Sequence, residues 1–344
     1  MPRAPLIRYF DDPASGPLES TEPFAGRYLV QRWIAQGGMG CVWEALDLAA
    51  ESERDRLVAL KVLNPKVAPG ARARERLRRE AAVATSLQGS HFVRVLDHGV
   101  HEALPFITFE LLRGETLAEH FRHAERLSPA QCLWILRQAA SALAVAHSMG
   151  IVHRDVSPAN LFLAAEGPLG EPILKVLDFG VATHAFFESR LTAPGMLIGS
   201  PHYMSPEQTR PRGVVSERSD LWSLAVVLYR ALTGRRPFDG KMARILLSIA
   251  RDDVAKPSCV VPGLRPEIDE FFRVALAKDA KHRFASANDM TVAFEQVVGA
   301  VAGERAAREA GAPRVSIPSD EIVHCGRAAL KAGRPFVTSP VRQS

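Results

Sequence analysis

The residues in this sequence most suited to chemistry lie in "HRDVSPANL", where Asp155 precedes Asn160 by five positions behind His153 and Arg154. An aspartate can orient an attacking hydroxyl and take its proton. The amide oxygen of an asparagine suits a hard cation such as Mg²⁺. Further on, "LKVLDFGVA" sets Asp178 after an apolar strand and before a glycine, where a carboxylate can ligate a cation that bridges phosphates. His153 reads as a structural histidine, because Asp155 already fills the role of base. The combination points to a hydroxyl reacting beside a divalent cation.

Three upstream features fit that chemistry. "AQGGMGCVW" carries Gly37, Gly38 and Gly40 between two strand-like segments. Glycines there let a hairpin approach phosphates closely, although taken alone they fit an ordinary turn equally well. "VALK" ends in Lys61, on a strand where its neighbours Leu60 and Val62 are apolar. A lysine among buried positions is costly unless paired. Glu80 is a candidate partner, since it shares a helix face with Leu77, Ala84 and Leu87. Two separate, solvated charges are the alternative.

The elements around these residues change character along the chain. Residues 1–27, with Pro2, Pro5, Pro13, Pro17 and Pro23, predict an extended, flexible arm. From Tyr28 to about Ala103 the pattern is strand-like, interrupted by a helix over 71–88, and "PFITFELL" (105–112) adds a buried strand. After Gly114 the texture is helical. Ser128-Pro129-Ala130-Gln131 reads as a capped helix start running to Gly150. A nearly all-apolar helix opens at Asp220 and ends near Gly234, with further helices around 242–251, 266–277 and 286–298. Residues 299–344 predict a flexible tail. The pattern predicts an α+β protein of two lobes, a small β-rich one over 28–112 and a larger helical one over 113–298.

Composition narrows the function classes. The 344 residues are 47% hydrophobic and 24% charged, which suits a sizeable core. The formal charge of +5 is small for this length, and +3 of it falls within residues 300–344. That distribution argues against a nucleic-acid partner. Cys41, Cys132, Cys259 and Cys325 follow no metal-ligand spacing and read as reduced thiols. No signal core opens the sequence, and "LWSLAVVLYRAL" (221–232) is too short to cross a bilayer, so the expectation is a cytoplasmic protein without a membrane partner.

Glycine hairpin, strand lysine, helix glutamate, HRD-x₄-N and DFG occur in an order that resembles the protein-kinase family, in its bacterial, eukaryotic-like (Hanks-type) serine/threonine branch. "GSPHYMSPEQ" (199–208), "SDLWSLAVVLYRALTGRRPF" (219–238) and "KDAKHRFAS" (278–286) resemble the family's substrate-binding segment, buried central helix and late arginine motif. The resemblance spans roughly residues 28–298. It implies transfer of the γ-phosphoryl group of Mg-ATP to serine or threonine hydroxyls of proteins, with autophosphorylation, in intracellular signalling. Mn²⁺ is an alternative to Mg²⁺, and a second kinase domain is a candidate partner.

Carried over residue by residue, the resemblance makes Asp155 the catalytic base and Asn160 and Asp178 the metal ligands. Lys61 would hold the α- and β-phosphates and pair with Glu80, under Gly37, Gly38 and Gly40. Ile34, Val42, Ala59 and Phe162 would line the adenine slot, with Phe109 at its back. The backbones of Glu110 and Leu112 would bond adenine. Glu207 would pair with Arg283, and Asp220 would hold the catalytic-loop backbone. Arg154 implies activation by phosphorylation, with Thr192 and then Thr183 as acceptors.

Ala35, Ser200, Ser205 and Ala225 depart from the family pattern in ways that keep size or a hydroxyl group. Ser157 is the larger departure, since the family usually carries a lysine there, and Ala159 offers no replacement. Removing one such donor lowers kcat by ~10²–10³, so the sequence predicts a working but slow enzyme. A catalytically silent scaffold and a small-molecule phosphotransferase are the alternatives. "DFG" and "GSPHYMSPEQ" speak against the second.

Overall fold

The computed structural model describes residues 22–37, 40–64, 81–165, 170–179 and 201–299, together with Pro313. The N-terminal lobe is a five-stranded antiparallel sheet built from β1 (Tyr28–Gly37), β2 (Gly40–Asp47), β3 (Leu57–Leu63), β4 (Val95–His101) and β5 (Leu104–Glu110) in the order β1-β2-β3-β5-β4. Both faces of β2 and β3 are buried, so apolar residues fall on both sides of these strands rather than alternating with solvent-facing ones. Cys41, Trp43, Ala45, Val58, Leu60 and Val62 pack on one face. Val42, Ala59 and Leu63 pack on the other, with Ile107 and Phe109 of β5. Lys61 shares the parity of that second face, which the C-terminal lobe covers.

Residues 22–27 differ from the expected arm. Phe24 is buried and packs edge-on against Phe106 and His101, and its N–H donates to the Tyr28 carbonyl at 2.8 Å. Arg27 pairs with Asp47 and Asp97. The proline-rich composition hid one aromatic anchor that extends the sheet's core. Residues 1–21 lie outside the described part. Of the helix expected over 71–88, residues 81–86 are helical, Leu87 and Gln88 lie beyond its end, and 71–80 lie outside the described part.

A second sheet, β6 (Gly114–Thr116), β7 (Leu161–Ala164) and β8 (Ile173–Val176), lies at the start of the helical lobe. The helices are α1 (Leu117–His123), α2 (Pro129–Ser148), α3 (Glu217–Thr233), α4 (Met242–Arg251), α5 (Pro257–Val260), α6 (Pro266–Ala275) and α7 (Ala287–Gly299). Ser128 caps α2 through the reciprocal bonds its sequence predicts, with Gly150 beyond the end at φ +71°. The central helix α3 starts at Glu217 rather than Asp220. Ser216 and Ser219 form the cap, which leaves the Asp220 carboxylate for another task. α3 is buried on nearly all sides, including Ala225, and ends at Gly234 in the left-handed conformation. No described helix is long and apolar enough to cross a membrane. Apart from Gly299 and Pro313, the tail lies outside the described residues.

Candidate active site

The site forms where the two sheets face each other. Lys61 projects from β3, and its Nζ meets Asp178 Oδ1 at 2.7 Å with both side chains largely buried. The sequence reading gave Lys61 the partner Glu80, which lies outside the described residues. Asp178 follows β8 and adopts φ +43°, a left-handed conformation that is costly for a non-glycine residue. Arg154, one residue before Asp155, is likewise left-handed at φ +66°. Two such residues beside the same cleft mark a backbone held by its surroundings rather than by local preference.

Those surroundings can be traced. Asp220 on α3 accepts the backbone N–H of His153 at 2.8 Å and of Arg154 at 2.7 Å, and His147 Nε2 lies 2.8 Å from the same carboxylate. Gln208 Nε2 donates to the Arg154 carbonyl at 2.8 Å. His153 is fully buried, with Nε2 3.0 Å from the Leu177 carbonyl and its ring 4.6 Å from Phe179. It is a brace between the loop of Asp155 and the segment of Asp178.

Asn160 joins the same two segments. Its Nδ2 donates to the Asp155 carbonyl at 2.7 Å and to Asp155 Oδ2 at 3.0 Å, while its own carbonyl accepts the Leu177 N–H at 2.8 Å. Its Oδ1 is buried without a hydrogen-bond partner. A buried acceptor of this kind carries a desolvation cost unless something ligates it. With the Asp178 carboxylate one residue beyond Leu177, the donor set is hard oxygen and fits a divalent cation. Ser157 is almost fully buried, and its side chain makes no cap hydrogen bond to the short turn it precedes, although its carbonyl accepts the Asn160 N–H at 2.9 Å.

Ile34, Val42, Ala59, Phe109, Leu112 and Phe162 form one apolar cluster that spans both sheets. Ala35 belongs to it, paired with Val42 within β1–β2, so a side chain in place of glycine is accommodated there. Gly40 is different. A Cβ at this position would lie 2.1 Å from the Val62 carbonyl oxygen, so only glycine lets the hairpin close onto β3. Gly37 pairs with Gly40, and Gly38 lies outside the described residues.

Sequence reasoning missed Lys175. On β8 its Nζ lies 2.7 Å from Glu110 Oε1 and donates to the Phe92 carbonyl at 2.9 Å, tying the end of β5 to the second sheet. The signal was available, since a lysine within "ILKV" poses the same pairing question as Lys61. Farther out, Arg283 donates to both oxygens of Glu207 at 2.8 Å, and Ser219 Oγ donates to Oε1 at 2.5 Å. Burial pushes the Glu207 carboxyl up, but the Arg283 hydrogen bonds and charge and the Ser219 hydroxyl outweigh it, so its pKa falls below the ordinary value. Ser205 is buried and forms a reciprocal cap with Gln208. Thr183, Thr192, Gly180 and Ser200 lie outside the described residues.

An α+β fold of two lobes, with a lysine strand facing an aspartate–asparagine loop, defines a phosphotransferase of the kinase type. Residues 28–294 match the protein kinase domain family. The chain is 36% identical over 320 residues to the serine/threonine-protein kinase PknL of Mycobacterium tuberculosis, covering 92% of this chain and 75% of PknL. It is 37% identical over 268 residues to PrkC of Bacillus subtilis, covering 77% of this chain and 40% of PrkC. The crystal structure of the Mycobacterium tuberculosis PknI kinase domain superposes with a TM-score of 0.63 at 28% identity, covering 81% of this chain and 99% of that one. The chain belongs to the protein kinase family, in its bacterial Hanks-type serine/threonine branch. It is an ATP-dependent serine/threonine protein kinase that uses a divalent metal.

Proposed function

We propose that Asp155 is the base of the transfer, that Asn160 and Asp178 hold Mg²⁺, and that Lys61 holds the α- and β-phosphates of ATP. The observation that carries this reading is the linked pair of contacts, Lys61 to Asp178 at 2.7 Å and Asn160 to Asp155 at 3.0 Å, with the Asn160 oxygen left unpaired. Asp155 orients a serine or threonine hydroxyl and receives its proton as the hydroxyl oxygen bonds to the γ-phosphorus. The bond from that phosphorus to the bridging oxygen of ADP breaks in the same displacement. The bound metal supplies positive charge against the phosphate oxygens. Asn160 fixes one oxygen of Asp155, and Asp220 fixes the backbone on which Asp155 is carried. Ile34, Val42, Ala59 and Phe162 enclose adenine, Phe109 backs the slot, and the Glu110 and Leu112 backbones bond its edge. Gly37, Gly38 and Gly40 cover the phosphates.

In this reading Ser157 leaves the loop without its own cation and the enzyme works slowly. Arg154 orders the substrate-binding segment by pairing with a phosphate on Thr192, or secondarily Thr183. The protein acts in the cytoplasm on protein substrates, with no nucleic-acid or membrane partner, and pairs with a second kinase domain. Purified protein incubated with γ-labelled ATP, Mg²⁺ or Mn²⁺ and a basic protein substrate tests the assignment. Label is expected in the wild type and not in Asp155→Asn. Equal labelling of both removes Asp155 from its role. Unchanged autophosphorylation of Thr192→Ala removes that phosphosite.

A further inference from the structure

At the entrance to the helical lobe, three side chains outside the active site converge. Glu115 sits in the middle of β6, immediately before the Thr116 cap of α1, and is buried. His120 and His123 follow on α1 at a spacing of three, which puts both rings on one helix face. His120 Nδ1 lies 2.9 Å from Glu115 Oε1, and His123 Nε2 lies 2.6 Å from Oε2. The rings meet edge to face with centroids 4.9 Å apart, so they do not stack and both nitrogens turn to the same carboxylate. The three donor atoms lie within 4.8 Å of one another.

We propose that Glu115, His120 and His123 form a divalent transition-metal site of the Zn²⁺ class, separate from the Mg²⁺ site. Two imidazole nitrogens and one carboxylate oxygen are the donors that Zn²⁺ takes in three-ligand sites, with a fourth position left for water. Such nitrogen-rich donors favour Zn²⁺ over Mg²⁺ or Ca²⁺. Around a tetrahedral ion with bonds of ~2.0–2.1 Å, donors stand about 3.3 Å apart. The present spacings therefore need only small side-chain rotations, and the His123 side chain, 45% exposed, is free to make them and gives the ion an entry path. Glu115 and His120 are held in place. β6 pairs with β7 through Glu115 opposite Leu163, and Thr116 and Glu119 close a capping box at the start of α1. The bound ion would clamp the first two turns of α1 to β6, just beyond the Glu110–Leu112 segment. The rival arrangement is an ion pair in which protons alone join the imidazoles to Glu115.

The two are separated by titrating the full chain with Zn²⁺ in excess Mg²⁺, which occupies hard-oxygen sites, and by reading Co²⁺ absorption in parallel. The expected result is one Zn²⁺ per chain, removed by chelator, with a raised Tm and a Co²⁺ spectrum of imidazole ligation. Loss of outer partners of metal ligands costs ~10–100-fold in affinity, so loss of a ligand should cost about 100-fold or more. His123→Ala, at a half-exposed position at the end of α1, is expected to show that loss, and His120→Ala/His123→Ala to abolish binding. Absence of Zn²⁺ binding, or affinity unchanged in His123→Ala, overturns the proposal and leaves the ion pair.

Discussion

Asp155 and Ser157 stand two residues apart in one loop and carry opposite expectations. Asp155→Asn keeps the shape of the side chain but cannot take a proton. Phosphate incorporation should fall by ~10²–10⁴ while ATP binding persists, which labelled-ATP transfer and nucleotide titration read separately. Ser157→Lys should raise kcat at saturating ATP, because it returns a cation to the loop. An unchanged or lower kcat would show that the enzyme draws its charge from elsewhere. The buried Ser157 position requires the new ammonium to extend outward along its stem, as lysines do. Gly40 is a third residue whose identity is fixed by space. Gly40→Ala must push the hairpin off the Val62 carbonyl, so both a higher KM for ATP and a lower Tm are expected.

Among elements, the contact of greatest consequence joins the 3-10 turn at Pro206–Thr209 to the turn at Arg283 that precedes α7. The Arg283 side chain is fully buried against Glu207, beneath the Trp222 ring at 4.8 Å. Breaking such a pair from one side leaves a charge uncompensated, so Glu207→Gln should cost about 3–5 kcal/mol in a urea unfolding titration. The depressed Glu207 pKa fixes the pH dependence. The unfolded carboxyl titrates near ~4.3. The stabilisation is therefore complete above that value and is lost as pH falls through the lower folded value. Wild type should lose stability more steeply than Glu207→Gln in that acid range. Equal slopes in the two proteins would show that another group governs the acid loss.

Over the whole molecule, Lys61–Asp178 and Lys175–Glu110 are two of the polar links that join the lobes among the described residues. A ligand that bridges the same cleft stabilises the fold by mass action, about 2.7 kcal/mol at one hundred times Kd. Thermal unfolding should therefore move upward with ATP, and further with Mg²⁺ added. Asp178→Asn should remove the Mg²⁺-dependent increment. If the increment survives in the variant, Asp178 is not the metal ligand.

Much of this was determined by the sequence alone, because spacing along a strand, loop or helix is local. The alternation around Lys61, the Ser128 cap and the Asp155–Asn160 loop each needed only neighbouring residues. The apolar character of α3 announced its burial. Pairings between distant segments were another matter: the family resemblance supplied Glu207–Arg283 and the hold of Asp220 on the loop, but spacing alone could not, since an ionic side chain reads the same whether solvated or buried. Only the tertiary structure decided that Asp178 meets Lys61, that Lys175 anchors Glu110 and that Phe24 belongs to the core. Likewise, Glu115 in a strand and two histidines in the helix after it are unremarkable in one dimension. Their donors converge because the strand ends and the helix begins at the same residue, Thr116, which turns both elements toward one point.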